Sequence, residues 1–364
     1  MTTRAGSGLA RVAASVAVLL LLVAGVGGCR RSEKSGDGKA SGAPTAAGAK
    51  ATVILAAYTT PREAYGKAII PAFQKAWKQK TGGDVEFQES YQASGAQARA
   101  IIGGFEADIA ALSLEADVEK IAKEKLISHD WKAAPHGGMV TSSVVVLAVR
   151  KGNPKNIRDW ADLARPGVNV LTPDPKTSGG AMWNINAIYG AALRGYTGVP
   201  KGDKPAAERF LAALFRNVTI MDKGARESIT TFEKGVGDVA ITYENEVLIA
   251  LQAGQTYEYV VPRSTILIQN PIALVDASVD KRGSREVAQA FMDFLWTPEA
   301  QRAYAQFGLR PVDPEVTKEV EAKFPKVEDL WTIDELGGWG KVLDEIYGPQ
   351  GVWTRVFSEK SKAR

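Results

Sequence analysis

Residues 171–184, Leu-Thr-Pro-Asp-Pro-Lys-Thr-Ser-Gly-Gly-Ala-Met-Trp-Asn, place a hydroxyl and two glycines at the head of an apolar run. A strand over 168–171 leads through a proline-punctuated turn to Ser178-Gly179-Gly180, and a helix is expected from near Ala181. Ser178 can cap that helix, and the glycines let the backbone close tightly on a guest. Unpaired N–H groups and the positive end of the helix dipole then point at one spot, which is the chemistry of anion binding. Taken alone, the pattern is equally that of an ordinary strand–turn–helix joint.

Three further joints repeat it. Tyr58-Thr59-Thr60-Pro61-Arg62-Glu63 follows the first strand, with Thr60 suited to cap and Pro61 to the first helical turn. Ser94-Gly95-Ala96-Gln97 heads the helix after the second strand, and Asp222-Lys223-Gly224-Ala225-Arg226-Glu227 leads into Ile229-Thr230-Thr231-Phe232. Four such loops can converge on one small tetrahedral oxyanion. A buried dianion needs several donors to replace its water, and neutral N–H groups and hydroxyls suffice when helix dipoles help. A fully ionised oxyanion only accepts, so its site holds donors; a protonated one needs an acceptor, usually a carboxylate. The Ser94 and Ser178 loops carry no acidic residue, which favours sulfate over phosphate, although Asp222 and Glu227 flank the fourth loop.

Other chemistries find little support. Cys29 is the only cysteine and His129 and His136 the only histidines, so no cluster for a metal and no cysteine nucleophile is expected. Serine catalysis at Ser178 would want a histidine beside it. Glu244 and Glu246 are candidates for general acid and base, but such residues at a domain edge more often face solvent or pair with Lys and Arg. No Gly-x-x-x-x-Gly-Lys-Ser/Thr loop occurs, so the chain is not itself an ATPase. The formal charge is +4, from 45 basic and 41 acidic side chains, with no long basic block, which argues against nucleic acid as a partner.

The elements that must position these loops alternate between strand and helix, the pattern of an α/β protein with largely parallel sheets. Strands are expected at 52–57, 85–88, 107–112, 141–149, 239–243 and 272–275. Helices are expected at 61–80, bent by Pro71, and at 96–102, 288–294 and 299–307. Trp77, Trp160 and Trp183 read as core. The order suggests two α/β lobes joined by a long crossing strand at 141–149 and a return near 262–272, with a ligand in the cleft between them.

The N-terminus reads as a processing signal: Arg4 and Arg11, an aliphatic run over 16–23, then Val26-Gly27-Gly28-Cys29. A cysteine directly after small residues matches a bacterial lipoprotein signal, in which Cys29 is lipidated and becomes the mature N-terminus. Residues 30–51, rich in Ser, Gly, Ala, Lys and Pro, then form a flexible tether.

These motifs give a family resemblance. The chain resembles the sulfate-binding proteins of bacterial ATP-driven sulfate/thiosulfate importers over residues 52–345. The motifs that carry it are Val149-Arg150-Lys151-Gly152-Asn153-Pro154-Lys155, Asp159-Trp160 with Asp162-Leu163, and Pro173-Asp174-Pro175-Lys176-Thr177-Ser178-Gly179-Gly180-Ala181 with Trp183-Asn184. Gly224-Ala225-Arg226, Gly237-Asp238-Val239, Glu244-Asn245-Glu246 and Gly337-Gly338-Trp339 follow. The resemblance implies a two-lobed, periplasmic-binding-protein-like (type II) α/β fold with the ligand cleft between lobes. It implies sulfate held by backbone N–H groups of Thr59, Ser94, Gly179, Gly180 and Ala225 and by the Ser178 hydroxyl. Thr59 stands where the family has Asp, but that contact is through backbone. Tyr243 stands where sulfate-binding members have a tryptophan whose indole donates to the ligand, which leaves thiosulfate, molybdate or tungstate open. Arg226 and Lys176 either set the local potential or face solvent.

The expected division is a signal at 1–28, a tether at 29–50, one lobe at 51–140 plus 263–315, a second at 141–262, and a helical segment at 316–364 of open placement. The expected molecule is a lipid-anchored monomer on the periplasmic or outer face of the cell membrane. It would carry no metal or cofactor and would hand sulfate to an ABC permease driven by a separate ATPase. The rivals are an enzyme acting on a small anionic ester and a sulfate sensor for a receptor kinase.

Overall fold

The computed structural model describes residues 50–362. The expectations for the leader, for Cys29 and for the tether up to residue 49 lie outside them. Eleven strands form one sheet: β1 (Ala51–Tyr58), β2 (Val85–Gln92), β3 (Ile109–Ala111), β4 (Met139–Val149), β5 (Val170–Pro173), β6 (Val218–Asp222), β7 (Val239–Tyr243), β8 (Glu258–Val260), β9 (Ser264–Leu274), β10 (Arg310–Pro311) and β11 (Asp329–Trp331). The main path runs β2-β1-β3-β9-β4-β7-β5-β6. Strands at its two ends pair in parallel, β1 with β2 and β3, and β5 with β6 and β7. Between them β9 and β4 run antiparallel to each other and to their neighbours β3 and β7.

β4 and β9 join the halves because each is long enough to serve both. The Met139–Val144 part of β4 pairs with β9, and Val145–Val149 pairs with β7. The strand is buried almost throughout, as an uninterrupted Val-Val-Val-Leu-Ala-Val run requires. The expected short strand at 272–275 and the return near 262–272 are one strand of eleven residues, β9. Pro271 sits within it at a register shift opposite Met139, where the missing N–H breaks no regular ladder.

The bend expected at Pro71 takes a different form. Helix Arg62–Ala64 passes through a widened turn at Tyr65–Ile69, where the Ile70 N–H reaches the Tyr65 carbonyl, and continues as helix Ile70–Thr81. Proline cannot donate to the carbonyl four residues back, and a π turn absorbs the lost bond. Trp77 is half-buried at the rim of its core rather than inside it.

Buried side chains gather in separate cores. Val53, Leu55, Tyr65, Ile109, Phe291 and Tyr304 fill the first, and Trp160, Trp183, Phe215, Val239 and Ile241 the second. Each such side chain is worth roughly 1.5–3 kcal/mol of burial. The C-terminal segment contributes to the second core: Trp339 lies edge-on to Trp183 at 4.8 Å and Trp353 edge-on to Phe215 at 4.7 Å. Among the described residues, no helix is long and apolar enough to cross a membrane.

Candidate functional site

The carboxyl ends of β1, β2, β5 and β6, in the two halves of the sheet, each lead into a helix start. The third of the sequence loops folds as its residues dictate. Helix Gly179–Leu193 begins at Gly179, two residues earlier than expected, and Ser178 caps it, its Oγ accepting from the Ala181 N–H at 3.3 Å. The other caps differ. Helix Ser94–Ile102 includes Ser94 in its first turn, and Pro61 rather than Thr60 precedes helix Arg62–Ala64. Helix Ala225–Glu233 starts after Gly224 with no side-chain cap.

Three of the four loops meet closely. A Cβ on Gly180 would lie 3.3 Å from Ala225 Cβ and from Ser178 Oγ, and 3.5 Å from Tyr243 Cε1. A Cβ on Gly95 would lie 3.1 Å from the Thr177 carbonyl, and one on Gly224 3.3 Å from Ala93 Cβ. The Arg99 guanidinium also donates to the Lys176 carbonyl at 3.2 Å. Ser94, Ser178, Gly179, Gly180, Ala225 and Tyr243 therefore gather at one place, and all are buried. Thr59 is half-exposed, and its loop joins the others through its neighbours: Arg226 donates to the Thr60 carbonyl at 3.5 Å and to Glu63.

Arg226 has a clearer role than the sequence allowed. Its Nη1 and Nη2 donate to the two Glu63 oxygens at 2.8 and 3.0 Å, and its Nε lies 2.6 Å from Glu246 Oε2. Burial works against its charge, but Glu246 and Glu63 together hold its pKa above the ordinary value. The pair Glu63–Arg226 ties the first half of the molecule to the second. Lys176 takes the other course, its ammonium lying 4.8 Å from the Phe357 ring centre. Glu244 and Glu246 are not solvated at an edge. Both are buried, Glu244 is paired with Arg310 at 2.7 and 2.9 Å, and burial pushes both carboxyls up despite their arginines.

Two residues here escaped the sequence reading. Asp117 accepts from Ser94 Oγ at 2.6 Å and from Lys120 at 2.8 Å, so an acid does stand against the Ser94 loop. Its partners occupy both oxygens. Ser113 lies just past β3, its Oγ 2.8 Å from Tyr243 Oη, and no motif marked it. Three helix starts and several hydroxyls meet at this spot, with the Glu227 carboxylate beside Gly224 and Asp117 bonded to Ser94. Among the described residues no His/Cys/Asp/Glu cluster is arranged to hold a metal. His129 Nδ1 lies 2.6 Å from Asp276 Oδ2, in a network with Arg285. Such a site can bind and desolvate an anion. A cavity of about 730 Å³, bordered by Tyr189, Lys204, Glu208, Lys341 and Arg355, lies elsewhere and shares no residue with it.

Comparison with known proteins agrees with this geometry. Residues 53–310 match a family described as bacterial extracellular solute-binding protein. A sulfate-binding protein of Synechococcus elongatus is 42% identical over 346 residues, covering 94% of each chain. A thiosulfate-binding protein of Pseudomonas aeruginosa is 36% identical over 318 residues, 86% of this chain and 94% of that one. The solved structure of the sulfate-binding protein SubI from Mycobacterium tuberculosis superimposes with a TM-score of 0.73 at 40% identity, covering 80% of this chain and 98% of that one.

Proposed function

Because the chain belongs to the family of bacterial extracellular solute-binding proteins, we propose that it captures sulfate outside the cytoplasm and delivers it to an ABC-type import permease. The observation that supports the reading is the meeting of the Ser94, Ser178 and Ala225 helix starts at one buried spot. Each helix start contributes uncompensated N–H groups and the positive end of a dipole, so a dianion is stabilised without a counter-charge. In this reading the backbone N–H groups of Thr59, Ser94, Gly179, Gly180 and Ala225 donate, with the hydroxyls of Ser178 and Tyr243.

The halves act as lobes, 51–140 plus 263–315 and 141–262, which close on the ligand about β4 and β9. The permease then reads the closed pair, and a separate ATPase drives release. The protein works as a monomer held to the membrane by lipid on Cys29, with residues 30–50 as its tether. A Cys29→Ala chain should leave the membrane fraction and appear free; retention with the membrane would overturn the anchor.

Titration calorimetry of residues 50–364 with sulfate, thiosulfate, molybdate and phosphate tests the central claim. One-to-one sulfate binding in preference to phosphate is expected. Silence toward sulfate with tight binding of another oxyanion would overturn the choice of ligand, and silence toward all four would overturn the site.

A further inference from the structure

Tyr243 and Ser113 face each other across the two halves, and neither hydroxyl's direction is fixed by the bond between them. Ser113 follows β3 in the first half, and Tyr243 ends β7 in the second. Every other polar atom of Ser113 is committed. Its N–H donates to Ser94 Oγ at 3.0 Å, and its carbonyl accepts from Trp183 Nε1 at 2.8 Å and Asn270 Nδ2 at 3.0 Å. Those partners come from the Ser94 helix, the Ser178-capped helix and the joining strand β9. A backbone held from three sides leaves the Oγ as the one adjustable atom, 2.6 Å from where a Gly179 Cβ would stand.

Deepening the proposed oxyanion reading, on which it rests, we propose that Ser113 is a positioning residue that sets the role of the Tyr243 hydroxyl toward the ligand. Two hydroxyls hold two protons. One is spent between them, and the other is left for the anion. When Ser113 donates to Tyr243 Oη, the phenol proton is free to donate to a fully ionised oxygen, and the two bonds reinforce each other in series. When the bond reverses, Tyr243 donates to Ser113 and its oxygen can accept from an oxyanion that carries a proton. An indole N–H at this position could only donate. Burial raises the Tyr243 phenol above its ordinary pKa, so the group stays neutral and keeps both roles. The selectivity of the site for ionised over protonated oxyanions is therefore set jointly by residues 113 and 243.

A double-mutant cycle on residues 50–364 decides this, with sulfate and hydrogen phosphate at pH 8 as probes. Tyr243→Phe should weaken sulfate about tenfold or more, the loss of a charge-assisted bond. Ser113→Ala should weaken it less, by a few-fold. Ser113→Ala added to Tyr243→Phe should change nothing further, because Ser113 acts only through the phenol. Hydrogen phosphate should compete measurably with sulfate on the unaltered protein and lose that competition in Tyr243→Phe. Ser113→Cys keeps the volume with a weak donor and should resemble Ser113→Ala; ligand-free melting temperatures establish that each variant folds. Equal binding by Tyr243→Phe, or losses at the two positions that simply multiply, would overturn the inference. Failure of the unaltered protein to bind sulfate would instead overturn the function it rests on.

Discussion

Gly179 shows how much a single residue type decides. A Cβ there would stand 2.6 Å from Ser113 Oγ and 2.7 Å from Leu114 Cδ2, atoms that belong to the first half of the molecule. Both neighbours are buried in close-packed surroundings, so making room for a methyl costs energy. Gly179→Ala should therefore oppose contact between the halves more than it opposes folding of either. Sulfate affinity is expected to fall roughly 5- to 150-fold, the equivalent of about 1–3 kcal/mol of overpacking, with little change in ligand-free melting. Calorimetry beside thermal unfolding checks it, and undiminished affinity would show that the halves do not need this contact. The glycines were conspicuous in the sequence. Ser113 was not, because a serine after a short apolar strand carries no spacing signal and acquires its role from Tyr243, 130 residues away.

At the scale of elements, helix Gly179–Leu193 carries the site at its first turn and core along the rest of its length. It is apolar on every side because it is enclosed on every side, by strands, by the Lys204–Arg216 helix and by the C-terminal segment. Gly190 lies on the face covered by Trp331 of β11, and a Cβ there would clash with Trp331 Cη2 and Cζ2. Gly190→Ala should cost stability, about 1–3 kcal/mol, because a fully enclosed tryptophan must move. Ten residues separate it from the capped end, so sulfate affinity should hold within about twofold. A melting curve with a matched titration reads both; an affinity loss as large as that of Gly179→Ala would mean the helix transmits the strain. The helix start was legible from Ser178 and the glycines, whereas the cover over Gly190 depends on a strand paired to β9 from the far end of the chain.

Across the whole molecule, the Glu63–Arg226 pair is one of the ionic links between the halves, beside Glu244–Arg310. Burial raises the Glu63 carboxyl, but the Arg226 guanidinium more than offsets this and holds it below its usual range. A carboxylate depressed in this way contributes above its unpaired pKa of about 4.3, and the contribution fades as pH falls through the lower value it has beside Arg226. Glu246, raised by burial, takes its proton first and leaves Glu63 as the remaining partner of Arg226. Sulfate affinity should thus be flat near neutrality and decline below about pH 4. In Glu63→Gln it should be a few-fold weaker at pH 7, with a shallower acid decline. Calorimetry across that range measures it, and an unchanged decline in the variant would assign the acid dependence to another group.

The local chemistry was decided by sequence alone. A hydroxyl and two glycines before a helical run make a capped, donor-rich start wherever the chain puts them, and β-branched runs at 141–149 and 239–243 make strands in any α/β setting. So the Ser178-capped helix start, its glycines and the alternation of elements were readable in advance. What needed tertiary structure was every relation between distant residues. Proline at 71 foretold a disturbance, but whether it bent or widened the helix depended on packing. Glu244 and Glu246 read as acids that face solvent or pair with Lys and Arg; they do pair with Arg310 and Arg226, but only the fold shows that they do so fully buried. Thr60 looked like a cap, and the chain instead uses its carbonyl to receive Arg226. Backbone conformation follows from a few neighbouring side chains, whereas burial and pairing are set by which segments the sheet brings together. In this chain that is the work of β4 and β9, whose length lets each belong to both halves.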